Sequence, residues 1–223
     1  MRGHVSDLNF KLRKHPTWGG ARNGAGRKKL RAKSNVPHRK RPKHSRSNPV
    51  HATLRAIRGL PSLRMKPAFA IIRTALKDCA EREGFRINCY SVQRDHLHLI
   101  VEADDKRTLA SGLKSFEIRV AHRLNAFFHR RGAVFGDRYH AHELKNPREV
   151  RNALRYVMLN WAKHSAQRGF DPYSSALAFD GWKPPHLMRL IAPREVCVAP
   201  PTTWLLARGW KSAGLIGMDE RPA

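Results

Sequence analysis

One stretch of this 223-residue chain cannot contribute to a folded core. Residues 22–46 carry eleven lysines and arginines and no acid, and several glycines and prolines lie in or beside them. A segment with so much charge and so few large apolar side chains cannot bury enough surface to offset the entropy of ordering. We therefore predict a disordered basic arm over residues 1–49 and a folded part that begins near Val50.

The charge of the whole chain indicates a polyanionic partner. The 44 lysines and arginines against 17 acids give a formal net charge of +27. Nucleic acid is the commonest polyanion that neutralises such an excess. A ribosome-associated or merely basic protein is the alternative class, and for the arm the alternative role is that of a solubilising tail.

The number of cysteines and the distribution of apolar residues narrow the class of protein further. Cys79, Cys89 and Cys197 are widely spaced and odd in number, which indicates neither a zinc ribbon nor a disulfide framework. No apolar run is long enough to cross a membrane, and the basic N-terminus lacks the apolar region of a secretory signal. We expect no membrane partner and a location in the bacterial cytoplasm, associated with the nucleoid.

From Val50 onward the spacing of apolar residues predicts alternating strands and helices. Asn146 is a good helix N-cap, Pro147 suits the first helical position, and Glu149 sits where a capping-box acid belongs. The predicted strands cover 50–57, 85–92, 96–102 and 133–145, and the predicted helices cover 68–79, 109–127 and 147–163.

The order of these elements favours an α+β fold. Strand, helix, strand, strand, helix, strand, helix is most simply assembled as an antiparallel sheet of the ferredoxin or RNA-recognition type, with helices on one face. We assign residues 50–165 to this domain. Residues 166–223 are predicted to form an irregular extension packed by aromatic side chains.

Two histidines on the third predicted strand form a candidate metal site. Successive side chains of a strand point to opposite faces. His96 and His98 therefore share one face of the sheet, and Leu97 and Leu99 point to the other. Two imidazoles on one face can reach a single divalent ion and leave positions open for phosphate oxygens. A second pair, His140 and His142, also lies in a predicted strand, and on this pattern alone either pair could be the site.

The third predicted helix carries a tyrosine away from its apolar stripe. Tyr156 lies on a polar side together with Asn152, Asn160 and Lys163, and Asn160 follows it by one helical turn. A phenol there has an available hydroxyl, which could attack phosphorus if a divalent metal polarised the phosphate. Asn160 could add an oxygen ligand suited to Mg²⁺ or Mn²⁺. A half-exposed tyrosine that merely lies over the sheet edge is the alternative.

These motifs, in this order, resemble one family. His96-Leu97-His98 is similar to the HUH motif, and the segment from Leu154 through Tyr156 to Asn160 resembles the tyrosine helix of single-tyrosine HUH transposases. The stretch 134–140 resembles that family's intervening strand. Gly24-Ala25-Gly26-Arg27-Lys28 resembles the arm of the REP-associated tyrosine transposase branch. The sequence departs at Trp161, where the family often has proline; we interpret Trp161 as a packing residue.

The resemblance implies a fold, an activity and roles for residues. The family has a ferredoxin-like sheet and cleaves and rejoins single-stranded DNA, often beside a hairpin, through a 5′-phosphotyrosine intermediate. It implies that Tyr156 is the nucleophile and that His96, His98 and Asn160 bind Mg²⁺ or Mn²⁺, so it favours the first histidine pair over the second. The expected partner is single-stranded or hairpin DNA, bound by a monomer or a homodimer. The candidate DNA contacts are Arg27, Lys28, Lys29, Arg138, His140 and Lys163.

Two other functions remain possible at this point. A non-catalytic nucleic-acid-binding protein on an RNA-recognition-like sheet would stack bases on aromatics of the open sheet face, where Tyr90 could serve. A nuclease would use activated water in place of Tyr156.

Overall fold

The computed structural model describes residues 43–164, 170–183 and 197–220, without the side chains of 162–164. The strands are β1 (Val50–Arg55), β2 (Glu81–Arg82), β3 (Phe85–Val92), β4 (His96–Ala103), β5 (His140–Glu143), β6 (Trp182–Lys183) and β7 (Ile216–Gly217). The helices are α1 (Lys66–Cys79), α2 (Lys106–Phe127), α3 (Pro147–His164) and the short α4 (Trp204–Ala207). Among these residues no helix is both long and apolar enough to span a membrane.

Five strands form one antiparallel sheet in the order β2-β3-β4-β1-β5. The predicted α+β fold class is therefore confirmed. The predicted strand over 133–145 is shorter than expected, since only residues 140–143 pair as β5 and Phe135 makes one isolated bridge to Ala56. Gly136 and Asp137 turn the chain between these two places, as their residue types suggest.

The helices do not all lie on one face, which corrects one detail of the prediction. α1 and α2 pack on the face that presents Leu97, Leu99 and Val101. α3 packs on the opposite face, where Ile100 and Cys89 form an apolar patch. A bulge in β3 between Ile87 and Cys89 accompanies this patch, and such bulges redirect side chains from one face to the other.

Local chemistry explains where α3 begins. The Asn146 side chain accepts a hydrogen bond from the backbone N–H of Glu149 at 3.0 Å, and the Glu149 carboxylate accepts one from the N–H of Lys145 at 2.8 Å. The first bond satisfies an N–H group that the first helical turn leaves unpaired, and the second holds the residue before the cap. The capping predicted from the sequence is thus present.

The C-terminal extension covers α3. Phe179, Trp182 and Trp210 pack with Leu154 and Val157 of the helix in one buried cluster. Polar contacts hold the end of the chain to the same helix. Arg151 donates hydrogen bonds to the carbonyls of Gly214 and Leu215 and to the Glu220 carboxylate, and Arg155 approaches that carboxylate at 3.5 Å.

Residues 43–49, which we assigned to the arm, are partly packed on the domain. The buried side chain of His44 contacts the carbonyl of Ala103 at 2.9 Å and the Glu143 carboxylate at 3.2 Å. These contacts join the ends of β4 and β5. The rest of the predicted arm, with Arg27, Lys28 and Lys29, lies outside the described residues.

Candidate functional site

The strand register brings histidines from two neighbouring strands together. On β4, His96 and His98 alternate with the buried leucines, and their ring centroids are 4.7 Å apart with perpendicular planes. On β1, Thr53 pairs with His98 and Arg55 pairs with His96. Because directly paired residues point to the same face, β1 supplies side chains to the surroundings of the imidazoles.

Each imidazole of the pair is oriented through its Nδ1 atom. His96 Nδ1 lies 2.8 Å from the Asp95 carboxylate. His98 Nδ1 lies 3.1 Å from His51 Nε2 and 3.2 Å from the Thr53 hydroxyl. The other ring nitrogen of His98, Nε2, is buried and has no hydrogen-bond partner. A carboxylate or another polar group on one nitrogen, with the opposite nitrogen left available, is the usual environment of metal-binding histidines.

Tyr156 of α3 lies against the imidazoles of His98 and His51. Its ring centroid is 5.0 Å from that of His98, with an interplanar angle of 84°, and 5.8 Å from that of His51. This is the edge-to-face arrangement that aromatic rings favour. Tyr156 is only partly buried, so its side chain is in contact with both the site and solvent. The structure therefore brings the predicted tyrosine and the first histidine pair together.

Asn160 follows Tyr156 by one turn of α3 and is 1% exposed. Both polar atoms of its amide lack a hydrogen-bond partner. A buried polar group without a partner costs roughly 1–3 kcal/mol, so this amide and His98 Nε2 are both atoms that a ligand would satisfy. Imidazole nitrogens and an amide oxygen form a donor set that fits a divalent cation.

The electrostatics of the site keep the imidazoles of His51 and His98 neutral. Burial, and after it the neighbouring His51 and His96, lower the pKa of His98 to about 3. Burial likewise lowers the pKa of His51 to about 4, with contributions from His142 and His140. A neutral imidazole is the form that binds metals. Within the described residues no group of three or more His, Cys, Asp or Glu side chains could hold a metal ion.

The remaining predicted contacts are less closely associated with this centre. His140 is exposed and pairs with Thr53 across the sheet. Arg138 is exposed just before β5. The Lys163 side chain lies outside the described part of the structure. Trp161, which we interpreted as a packing residue, is partly buried, with the Arg64 guanidinium 6.0 Å from its ring.

Sequence reasoning missed three residues of the site: His51, Thr53 and Asp95. The alternation on β1 does place His51 and Thr53 on one face, and that signal was available. It could not show that β1 lies beside β4, because the two strands are joined by a long connection through α1 and β3. Asp95 directly precedes His96, and its contact depends on the turn between β3 and β4.

The part of the chain that carries the fold and this site matches a known protein family. Residues 64–160 match the family model described as "Transposase IS200 like". The predicted resemblance to this family of transposases is confirmed, and the matched segment includes His96, His98, Tyr156 and Asn160.

Two solved structures are similar to this chain. One is a REP-associated tyrosine transposase bound to a REP hairpin, with 17% identity, a TM-score of 0.53, and coverage of 71% of this chain and 89% of that chain. The other is a Deinococcus radiodurans protein provisionally described as a transposase, with 16% identity, a TM-score of 0.36, and coverage of 49% of this chain and 84% of that chain. The first shows that the fold is shared. No curated protein matches the chain significantly.

Proposed function

We propose that this protein is a transposase that cleaves and rejoins single-stranded DNA through a covalent bond between Tyr156 and a 5′-phosphate. One observation carries the proposal. The Tyr156 ring packs against His98, whose Nε2 is buried and unpartnered, and the unpartnered amide of Asn160 lies one helical turn away. The match of residues 64–160 to the IS200-like transposases supports it.

His96, His98 and Asn160 would hold Mg²⁺ or Mn²⁺. Such a cation would act as a Lewis acid that polarises the scissile phosphate and stabilises the negative charge of the displaced oxygen. The protein prepares its own ligands for this role. Asp95 orients the His96 ring, and Thr53 and His51 orient the His98 ring.

The covalent bonds made and broken at phosphorus belong only to Tyr156 and the DNA strand. The phenolic oxygen attacks phosphorus while its proton passes to solvent, the bond from phosphorus to the 3′-oxygen breaks, and that oxygen leaves as a free 3′-hydroxyl after taking up a proton. In strand joining a 3′-hydroxyl attacks the phosphotyrosine and Tyr156 is released. The number of phosphodiester-type bonds is conserved, so no external energy source is needed.

We also propose that the DNA substrate is single-stranded and lies beside a hairpin. The similar solved transposase is bound to a REP hairpin, and the net charge of +27 suits a nucleic-acid partner. Arg138 and His140 would contact this DNA from beside β5. Lys163 and the arm residues Arg27, Lys28 and Lys29 are proposed contacts on the grounds of sequence alone.

The two alternative functions, a non-catalytic nucleic-acid-binding protein and a water-dependent nuclease, have less support. A binding protein that stacks bases on the sheet would need aromatics on an accessible face, but Tyr90 is 6% exposed and packs in the core with α1 and α2. A water-dependent nuclease would have no use for a tyrosine placed against His98. The choice between these functions rests on whether a covalent intermediate forms.

Incubation of the protein with labelled hairpin DNA and Mn²⁺, followed by denaturing electrophoresis, tests the proposal. We expect a labelled adduct with the wild type and with Tyr173→Phe, a control at a tyrosine that packs against Phe69 and Arg64. Tyr156→Phe should form no adduct. Free cut product from Tyr156→Phe would establish a hydrolytic nuclease, and retention of uncut DNA by the wild type would establish a binding protein.

A further inference from the structure

Trp204, the first residue of α4, lies far more in solvent than a tryptophan usually does. It is 65% exposed, and it is the most exposed of the large hydrophobic side chains in the described residues. One face of its ring rests on Gly209: a Cβ added there would lie 2.6 Å from the ring atom Cζ3. The absence of a side chain at Gly209 therefore lets the indole lie flat on the backbone with its other face open.

A buried carboxylate fixes the segment that presents this ring. Glu102 of β4 is 4% exposed. It accepts hydrogen bonds from the backbone N–H and the hydroxyl of Thr202 at 2.9 and 3.0 Å, and from the same groups of Thr203 at 2.7 Å each. Charge-assisted bonds of this kind are stronger than neutral ones. The position of Trp204 is thus tied to β4, the strand that carries His96 and His98.

The surroundings of Trp204 suit a nucleotide. The ring borders a groove of about 360 Å³ that is also lined by Arg46 and Arg86. Each guanidinium is held by one carboxylate, Arg46 by Asp104 at 3.0 Å and Arg86 by Glu81 at 2.8 Å. An arginine has five N–H donors, so both keep donors for a further acceptor. The basic run of residues 22–46 ends at Arg46, inside this groove.

We propose that Trp204 and this groove form a subsite for one unpaired nucleotide of the DNA strand, whose base stacks on the indole while Arg46 and Arg86 face its backbone. An open aromatic ring beside arginines is the usual means of binding single-stranded nucleic acid without regard to sequence. Glu102 follows His98 by four residues, about 13 Å along the strand. The stacked base therefore lies several nucleotides from the cleaved bond. This inference rests on the proposed function only in taking DNA as the ligand.

The test measures binding of a hairpin oligonucleotide with a single-stranded flank, in a Tyr156→Phe background so that no strand is cut. We expect Trp204→Ala to weaken binding about 5- to 150-fold, the range for loss of one stacked base, and to do so for thymine-rich and adenine-rich flanks alike. Trp204→Phe should restore most of the affinity. Ile118→Ala, at another exposed apolar residue on α2, should bind as the background does.

Abasic sites at successive positions of the flank then locate the nucleotide. One position should weaken binding to the protein with Trp204 intact and have no further effect on Trp204→Ala. Equal binding by the Trp204→Ala and background proteins, or an effect of the abasic sites that is independent of Trp204, overturns the proposal. The adduct assay with wild-type Tyr156 tests the strand-transfer function separately. If an adduct forms but Trp204→Ala does not weaken binding, only the subsite proposal is wrong. If Trp204→Ala weakens binding but no adduct forms, only the strand-transfer proposal is wrong.

Discussion

The two His-x-His pairs of this chain lie on the same face of one sheet, yet their environments differ. His96 and His98 are on β4, between β3 and β1, and His98 is 4% exposed. His140 and His142 are on β5, the edge strand, and both are exposed. The same motif thus forms an oriented pair with one buried imidazole, that of His98, on an inner strand and an exposed pair on an edge strand. Position in the sheet decides which pair its neighbours bury and orient.

Neighbouring strands explain why the pairs differ. His98 has β1 beside it and α3 above it, which supply His51, Thr53 and Tyr156. His142 has β1 on one side only, where it is paired with His51. His51 therefore lies between the two histidine pairs, and its hydrogen bond with His98 connects it to the first pair.

The largest expected difference between the two histidine pairs is in the rate of adduct formation. His98→Ala should reduce adduct formation at least about 100-fold, because it removes a proposed ligand of the catalytic metal. His142→Ala, a matched change on the edge strand, should stay within about threefold of wild type, as is usual for exposed sites. Rates of adduct formation under single-turnover conditions measure both. Equal losses in the two variants would show that the pairs share the function and that our distinction is wrong.

A smaller effect is expected at the residue between the pairs. His51→Ala should weaken Mn²⁺ binding about 10- to 100-fold, as is typical when a group that orients a metal ligand is lost. His51→Gln can still bond to His98 Nδ1 and should recover part of the affinity. Titration calorimetry measures the affinity directly, without reliance on DNA cleavage. Unchanged affinity in His51→Ala would mean that Thr53 alone suffices to orient the His98 ring.

α3 covers the first histidine pair, His96 and His98, and the C-terminal extension holds α3 in place. Burial opposes ionisation of Glu220, but hydrogen bonds from Arg151 and Gly217 and the charges of Arg151 and Arg155 outweigh this and hold its pKa below the usual range. A carboxyl whose pKa is lower in the folded state stabilises the fold above its unfolded pKa, and this contribution is lost as pH falls through the folded pKa.

Glu220→Gln should therefore be less stable than wild type at neutral pH by about 1 kcal/mol. The two proteins should become equally stable in acid, below the lowered pKa of Glu220. Urea unfolding over a range of pH measures the difference, and Glu83→Gln, at an exposed acid far from α3 in sequence, serves as the control. A difference between wild type and Glu220→Gln that does not depend on pH would show that the carboxylate acts by packing and not by charge.

The smallest expected effect concerns DNA affinity beside the edge strand. Arg138→Ala should weaken binding modestly at low salt and reduce the slope of log affinity against log salt by about 0.7–0.9, the value for one phosphate contact. Adduct formation at saturating DNA should not change. An unaltered salt slope would remove Arg138 from the proposed DNA contacts.

The sequence by itself determined the local elements and the residues of the site that lie close together in the chain. Alternation on 96–102 predicted which face His96 and His98 share, and the Asn146 cap with helical spacing predicted that Tyr156 and Asn160 lie one turn apart. Both are short-range properties of a strand with a period of two and a helix with a period of 3.6 residues. The motifs also predicted the resemblance to a transposase family.

Only the tertiary structure decided how these pieces meet. Periodicity shows which side chains share a face of one element, but it does not contain the order of strands or the face on which a helix packs. That α3 lies on the second face, over the bulged strand β3, places Tyr156 at His98. Contacts between residues 45 or 47 positions apart, from Thr53 and His51 to His98, complete the site. These contacts depend on the burial of side chains throughout the domain, which no local sequence pattern predicts.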